Sequence, residues 1–341
     1  MNNMPPSSSS PLTVLNFLNV LAYIANVAVT YGIGVAGFAG TATNAELSAK
    51  YQTLVTPIGT AFAIWGIIFL AQLVFTIVQL FGPYRQAPLV AKGVGYYYIA
   101  ACLSQIGWTV AFTFEIIWLS LVFMLSILFF LVSILISQYK AQETTSIKDY
   151  WLLKFPFAIH AGWIIAASFV NLSVVFVKYG IGPIIQYYTA FATIIVVLLI
   201  AALALGYPNR PEYVVPLVLS WASVSLLFTI FRACHTVVTH ISSLTSLLLL
   251  TFFTIKTGIY LELQNPTDSI LATFGESRIT DVKYAAMMAS ISIVLSVLLR
   301  AVMDYRTTKR SGGTSSDEDN VYHRQDDNGR TGLFARFGRK E

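Results

Sequence analysis

The chain has 341 residues, of which 56 % are apolar and only 11 % charged, with a formal net charge of +5. Soluble domains carry roughly 25 % charged residues, and the last 38 residues, Asp304 to Glu341, hold 15 of the 37 charges. A body so poor in charge cannot cover a soluble surface, which excludes a soluble enzyme, a nucleic-acid binder and a secreted disulfide scaffold.

Residues 1–12 carry a Pro/Ser run without Lys or Arg. They lack the charged start of a signal peptide and read as a short disordered N-terminus, so insertion rests on the first span. A helix needs about 20 apolar residues to cross the hydrocarbon core. Nine stretches meet this: roughly 13–37, 57–81, 94–114, 117–138, 153–177, 183–206, 213–232, 237–261 and 283–303. Arg232, His235 and His240 interrupt the seventh and eighth, and Lys256 sits in the eighth. If one of these is re-entrant or interfacial, eight spans remain. The fold class predicted is all-α: a polytopic membrane helical bundle of about nine transmembrane helices in the lipid bilayer.

Residues 304–341 are polar and of mixed charge, a composition that cannot offset the entropy of ordering, so they read as a disordered tail. Basic residues occur singly in the connections, as expected for headgroup contact rather than nucleic acid. The loop counts of Lys and Arg nearly tie between the two orientations. The cluster Arg306, Lys309 and Arg310 beside the last span favours a cytosolic tail.

Polar groups at membrane depth are the informative minority. In the first span Asn16, Asn19, Tyr23, Asn26 and Thr30 recur at intervals of three, four, three and four, so they share one helix face. That face cannot meet lipid. It serves either interhelical hydrogen bonds or a partly polar ligand cavity. A second stripe comprises Arg232, His235, Thr239, Ser242 and Ser246. Its Arg232 and His235 suit an anionic headgroup or a propionate-like carboxylate, and His235 or His240 is a candidate haem or metal ligand. Glu115 is placed in the tight turn between the third and fourth spans. Cys102 and Cys234 lie in apolar stretches and read as packing residues.

No catalytic constellation emerges, with no His-Glu-x-x-His run, Cys-x-x-Cys pair or Gly-rich phosphate loop. The chain therefore reads as a binding or transport protein rather than an enzyme, with no metal site. Of the six tryptophans, Trp118 and Trp151 fit interface belts. Trp65, Trp108 and Trp163 lie a third to halfway into their spans, where an indole N–H needs a partner. Flat walls from three helices suit a planar hydrophobic ligand, and core packing explains them equally well.

These tryptophans carry a resemblance. The second span reads Thr56-Pro57-Ile58-Gly59-Thr60-Ala61-Phe62-Ala63-Ile64-Trp65-Gly66-Ile67-Ile68-Phe69. It resembles the Pro…Phe-x-x-Trp-x-x-x-Tyr signature of the tryptophan-rich sensory protein or translocator protein (TspO/MBR-like) family, with Phe69 in the Tyr position. Gln105-Ile106-Gly107-Trp108 is similar to the family's Asn-x-x-Trp, with Gln for Asn. Pro156-Phe157-Ala158-Ile159-His160-Ala161-Gly162-Trp163, then Ala167 and Asn171, is similar to its fifth helix, in a longer multi-helix branch. Asn26 and Glu46-Leu47-Ser48 also fit that branch, whereas residues 40–56 lack the family's first-loop Trp.

The resemblance implies a five-helix core over 13–178, additional transmembrane helices over 179–303, and an amphipathic cavity in the core. It implies binding of a porphyrin, haem or sterol, for transport or sensing. Asn26, Phe62, Trp65, Gln105, Trp108, His160, Trp163 and Asn171 would line or brace that cavity. The family is often dimeric, which makes a homodimer one expectation. Two other functions fit the same sequence: secondary transport of a small solute, and photochemical degradation of bound porphyrin.

Overall fold

The computed structural model describes residues 11–57, 59–141, 146–206, 211–223 and 268–323, with side chains up to 306. It divides into two compact units, residues 1–295 and 296–341. Among the described residues there are ten helices and no strands, and six helices are long and apolar enough to cross a membrane. The protein is an integral, multi-pass membrane protein.

Helix α1 (Val14–Val29) starts at Thr13, whose side chain and backbone exchange hydrogen bonds with Asn16 in a capping box. It ends in a π-helical turn, Thr30–Val35. The connection that follows holds a short amphipathic helix, α2 (Asn44–Lys50), capped by Thr43 and Glu46. Leu47 of α2 is buried with Tyr51, Phe112, Ile117 and Val174, which docks the connection onto the bundle end.

Helix α3 (Ile64–Val78) follows a 3-10 turn over Gly59–Ala63. Its α-helical part therefore begins seven residues later than the apolar run at 57 suggests. Helix α4 (Tyr97–Thr113) is the third predicted span, at 17 residues. Helix α5 (Ile117–Ala141) buries Ile117, Ser120, Met124, Ile127, Leu131, Ile134 and Gln138, one stripe at helical spacing. The rest of its surface exposes residues such as Val122, Leu125 and Phe129, as lipid contact requires.

A single turn, α6 (Ile147–Asp149), and a π-helical turn, Tyr150–Lys154, lead into α7 (Phe155–Lys178). The span containing α7 is 61 % buried, against 28–39 % for the others, so α7 is the central post. Helices α8 (Pro183–Gly206) and α9 (Val214–Ser223) pack beside it. At Gly162 the backbones of α7 and α9 come so close that a Cβ would stand 2.8 Å from Val218 Cβ.

Helix α10 (Asp268–His323) is broken at Gly275, where φ is +74°. It differs from the sequence reading at both ends. The charged turn with Glu276, Arg278, Asp281 and Lys283 is helical although apolarity starts only near 283. The helix also continues past Asp304, where the sequence reading places a disordered tail. Extending an existing helix needs no new nucleus, which hydropathy and composition do not register. The stretch 237–261 and residues 224–232 of the seventh stretch lie outside the described residues.

Candidate functional site

The polar face of α1 is buried along its whole length: Asn16, Asn19 and Asn26 are 0 % exposed. Each member meets another helix or its own stripe. Asn19 Nδ2 donates to Gln79 Oε1 at 2.9 Å, and Gln79 Nε2 donates to the Asn16 carbonyl at 3.2 Å. The Tyr23 hydroxyl donates to the Phe69 carbonyl at 3.0 Å. Asn26 Nδ2 donates to Gln105 Oε1 at 3.2 Å, and Thr30 donates to Asn26 Oδ1 at 3.3 Å. These bonds tie α1 to α3 and α4. In membranes such bonds contribute on average about 0.6 kcal/mol each.

A second group is aromatic. Trp65 of α3 meets Trp163 of α7 edge-on at 6.3 Å between centroids, and His160 edge-on at 5.6 Å. Phe62 meets Trp163 edge-on at 5.6 Å, and Phe69 stacks on Trp65 at 5.5 Å. Trp163 and His160 are each 2 % exposed, whereas Phe62 and Trp65 are only partly buried. The cluster thus has a closed side on α7 and a partly open side on α3.

Polar contacts run through the same layer. Gln72 Nε2 lies 2.8 Å from His160 Nδ1, and the Tyr98 hydroxyl donates to Gln72 Oε1 at 3.3 Å. The Cys102 thiol lies between the Tyr98 hydroxyl and the Asn26 amide. A continuous buried series therefore connects His160, Gln72, Tyr98, Cys102, Asn26 and Gln105. Four side-chain atoms around it, His160 Nε2, Trp163 Nε1, Gln105 Nε2 and Thr109 Oγ1, are buried without a hydrogen-bond partner. Buried polar atoms are ordinarily satisfied, so these four mark the region chemically.

Trp108 and Asn171 form a separate layer. The Trp108 indole donates to Asn171 Oδ1 at 3.2 Å, and Asn171 Nδ2 donates to Ser120 Oγ at 3.1 Å. The Trp108 ring stacks on Phe112 at 5.2 Å. Along α7, Asn171 lies eight residues after Trp163, about 12 Å at 1.5 Å per residue.

At the end of the bundle, Glu115 sits in the turn between α4 and α5 with a left-handed φ of +57°. Lys50 of the α2 segment donates to both its oxygens at 2.7 Å, Lys178 of α7 lies 3.5 Å away, and the Tyr51 hydroxyl donates to it. Lys50 chiefly, then Tyr51, pull the Glu115 carboxyl down to about 2. Elsewhere, a groove of about 370 Å³ between α5, α7 and α8 is lined by Leu121, Leu125, Leu128, Val132, Ile165, Ser168, Phe169, Leu172 and Ile200. It faces outward and is almost wholly apolar.

The eight residues predicted for one cavity fall into three neighbourhoods. Phe62, Trp65, His160 and Trp163 come together between α3 and α7. Asn26 and Gln105 pair between α1 and α4. Trp108 and Asn171 pair between α4 and α7. Gln72, Tyr98 and Gln79 were missed by the sequence reading. Gln72, Thr76 and Gln79 recur at four and three within an otherwise apolar helix and are 0–2 % exposed, the same signal read correctly in α1. Trp118 and Trp151 are 55 % and 54 % exposed near helix ends, in keeping with an interface belt. Arg232, Cys234, His235, Thr239, His240, Ser242 and Ser246 lie outside the described residues. Among the described residues no three His, Cys, Asp or Glu side chains group as a metal site.

A sequence model of the family described as TSPO-like protein matches residues 16–255. The chain belongs to the TSPO-like protein family. The match extends well past residue 178, the end of the five-helix core, and takes in Leu219-Ser220-Trp221-Ala222, which resembles the family more loosely. The TSPO-like region thus includes α8 and α9 as well as the first five spans. No curated protein and no solved structure matches the chain.

Proposed function

We propose that this TSPO-like protein binds a hydrophobic planar ligand, a tetrapyrrole or sterol, within the bundle between α3, α4 and α7, for transport or sensing. The observation that carries the reading is the meeting of Phe62, Trp65 and Trp163 with His160 at one level, beside a buried polar series. Aromatic faces supply area for a flat ring, and the polar groups orient it. Asn26 and Gln105 brace α1 against α4 behind this layer. Trp108 and Asn171 hold α4 to α7 and support its far side.

The test is a titration of purified protein with a porphyrin while intrinsic Trp fluorescence is recorded. Saturable quenching is expected. Trp65→Phe and Trp163→Phe each weaken binding about 5-fold, about 1 kcal/mol for one aromatic contact. Absence of quenching, or an unchanged affinity in both variants, overturns the reading.

A further inference from the structure

We propose that the α3–α7 site selects an uncharged ligand, held through a hydrogen-bond-accepting oxygen such as a ketone or ester carbonyl, and rejects free carboxylates. The inference rests on the preceding reading of the bundle interior as a ligand site and adds the chemistry of the recognised group.

The unpaired atoms of the site give the first reason. Tyr98 donates to Gln72 Oε1, which turns the Gln72 amide nitrogen toward His160 Nδ1. An imidazole that accepts at Nδ1 carries its single proton on Nε2. That N–H has no acceptor, on a ring 2 % exposed. The Trp163 indole, three residues on and so on the same face of α7, is a donor only and also lacks an acceptor. Gln105 spends its carbonyl on Asn26, and its amide nitrogen is unpaired. Two unpaired nitrogen donors on α7 thus lie in the aromatic cluster itself, and a third, on Gln105, lies in the neighbouring α1–α4 pair. Leaving such groups unsatisfied is unfavourable. The unpaired amide oxygens among the described residues, Asn19 Oδ1, Asn44 Oδ1 and Gln138 Oε1, belong to other contacts, and the unpaired Thr109 hydroxyl can donate as well as accept.

Charge gives the second reason. Helices α1, α3 and α4 contain no Lys or Arg. The one cation of α7, Lys178, lies 15 residues beyond Trp163, about 22 Å along the axis, and is engaged with Glu115. Lys154, six residues before His160, faces Glu212. Among the described residues, a carboxylate bound between α3 and α7 would therefore be a buried charge without a counter-ion, which is severely unfavourable. A neutral carbonyl accepts the same donors without that cost. Among the described residues, the open side of the site is on α3. Phe62 and Trp65 are only partly buried, and beside them Gly66 is exposed, with open space around the position of a Cβ. Displacing those two rings uncovers the donors on α7.

The experiment compares two probes with one macrocycle, a porphyrin dimethyl ester and the corresponding diacid, by Trp quenching of the full-length protein in nanodiscs. The ester is expected to bind at least 10-fold more tightly. Trp163→Phe, which keeps a ring but removes the N–H, and His160→Phe each lower ester affinity about 5-fold and shrink the ester-to-acid ratio. Gln105→Lys supplies a cation and shifts the ratio toward the acid. Because the ratio is taken within each variant, partial loss of folded protein does not mimic the effect. If the diacid binds wild type as tightly as the ester, or if neither ratio nor ester affinity moves in Trp163→Phe and His160→Phe, the selectivity proposal fails while the site reading stands. If neither probe quenches wild type, both fail.

Discussion

Asn171 joins three helices through one amide: its Oδ1 accepts the Trp108 N–H at 3.2 Å and its Nδ2 donates to Ser120 Oγ at 3.1 Å. Ser120 keeps an alternative acceptor, the Ile117 carbonyl at 2.7 Å, but Trp108 has no substitute. In a double-mutant cycle of Trp108→Phe with Asn171→Leu, thermal unfolding in detergent should give a coupling of about 0.6–1.7 kcal/mol, the range for interhelical bonds in membranes. A coupling near zero would mean that the two side chains are neighbours without energetic contact.

The Glu115 cluster makes a pH prediction of definite sign. Its carboxyl lies at about 2, against an ordinary 4.5, so folding favours the ionised form. The contribution is complete above about pH 4.5 and is lost as pH falls toward 2. Hydrogen exchange of residues 44–51, corrected for intrinsic rates, should rise across that window. Glu115→Gln should raise it already at pH 7. Lys50 is 54 % exposed, so 1 M salt, with a screening length near 3 Å, should produce a smaller rise. Exchange that is flat from pH 6 to pH 2.5 would remove the cluster from the docking of α2.

Much of this architecture is legible from periodicity alone. The three-and-four spacing of Asn16, Asn19, Tyr23, Asn26 and Thr30 requires a face turned away from lipid, and all five are buried. Spacing does not say what that face meets. It meets Gln79, Phe69 and Gln105, a result of how α3 and α4 are rotated about their own axes, which tertiary packing decides. The same limit explains the tryptophans. Depth along a span suggests that Trp65, Trp108 and Trp163 converge, yet Trp108 lies one layer away with Asn171, because a position counted from the ends of an apolar run does not fix the level at which each helix sits in the bundle. Gln72 passed unnoticed within an apolar run, although a glutamine 0 % exposed in a span needs a partner as much as the asparagines do.

Gln79 is the acceptor on which the start of α1 depends. It accepts from Asn19 at 2.9 Å and donates to the Asn16 carbonyl at 3.2 Å. Gln79→Leu strands Asn19 and should cost about 1–3 kcal/mol for the orphaned amide. Asn19→Leu should cost less, since Asn19 Oδ1 is already unpaired and Gln79 keeps Asn16. The double variant Asn19→Leu/Gln79→Leu should recover stability over Gln79→Leu alone. Thermal unfolding of the three variants in one detergent checks the order, and a double variant that is least stable of all contradicts it.

Two glycines separate backbone contact from side-chain contact. A Cβ at Gly162 would stand 2.8 Å from Val218 Cβ and 3.3 Å from Val215 Cα. These atoms belong to the α9 framework and move only if the helix moves. A Cβ at Gly107 would stand 2.6 Å from Phe123 Cε1, the far end of a ring that rotates aside. Gly162→Ala should therefore lower stability by about 1–3 kcal/mol, the usual range for overpacking, and Gly107→Ala by less than half of that. Val218→Ala removes the two nearest obstructing carbons only in part, because its Cβ remains while Cγ1 at 3.1 Å is lost. The pair Gly162→Ala/Val218→Ala should therefore recover some but not all of the stability lost. Full recovery would show that the conflict lay in the Val218 methyls alone, and no recovery would place it in the α9 backbone at Val215.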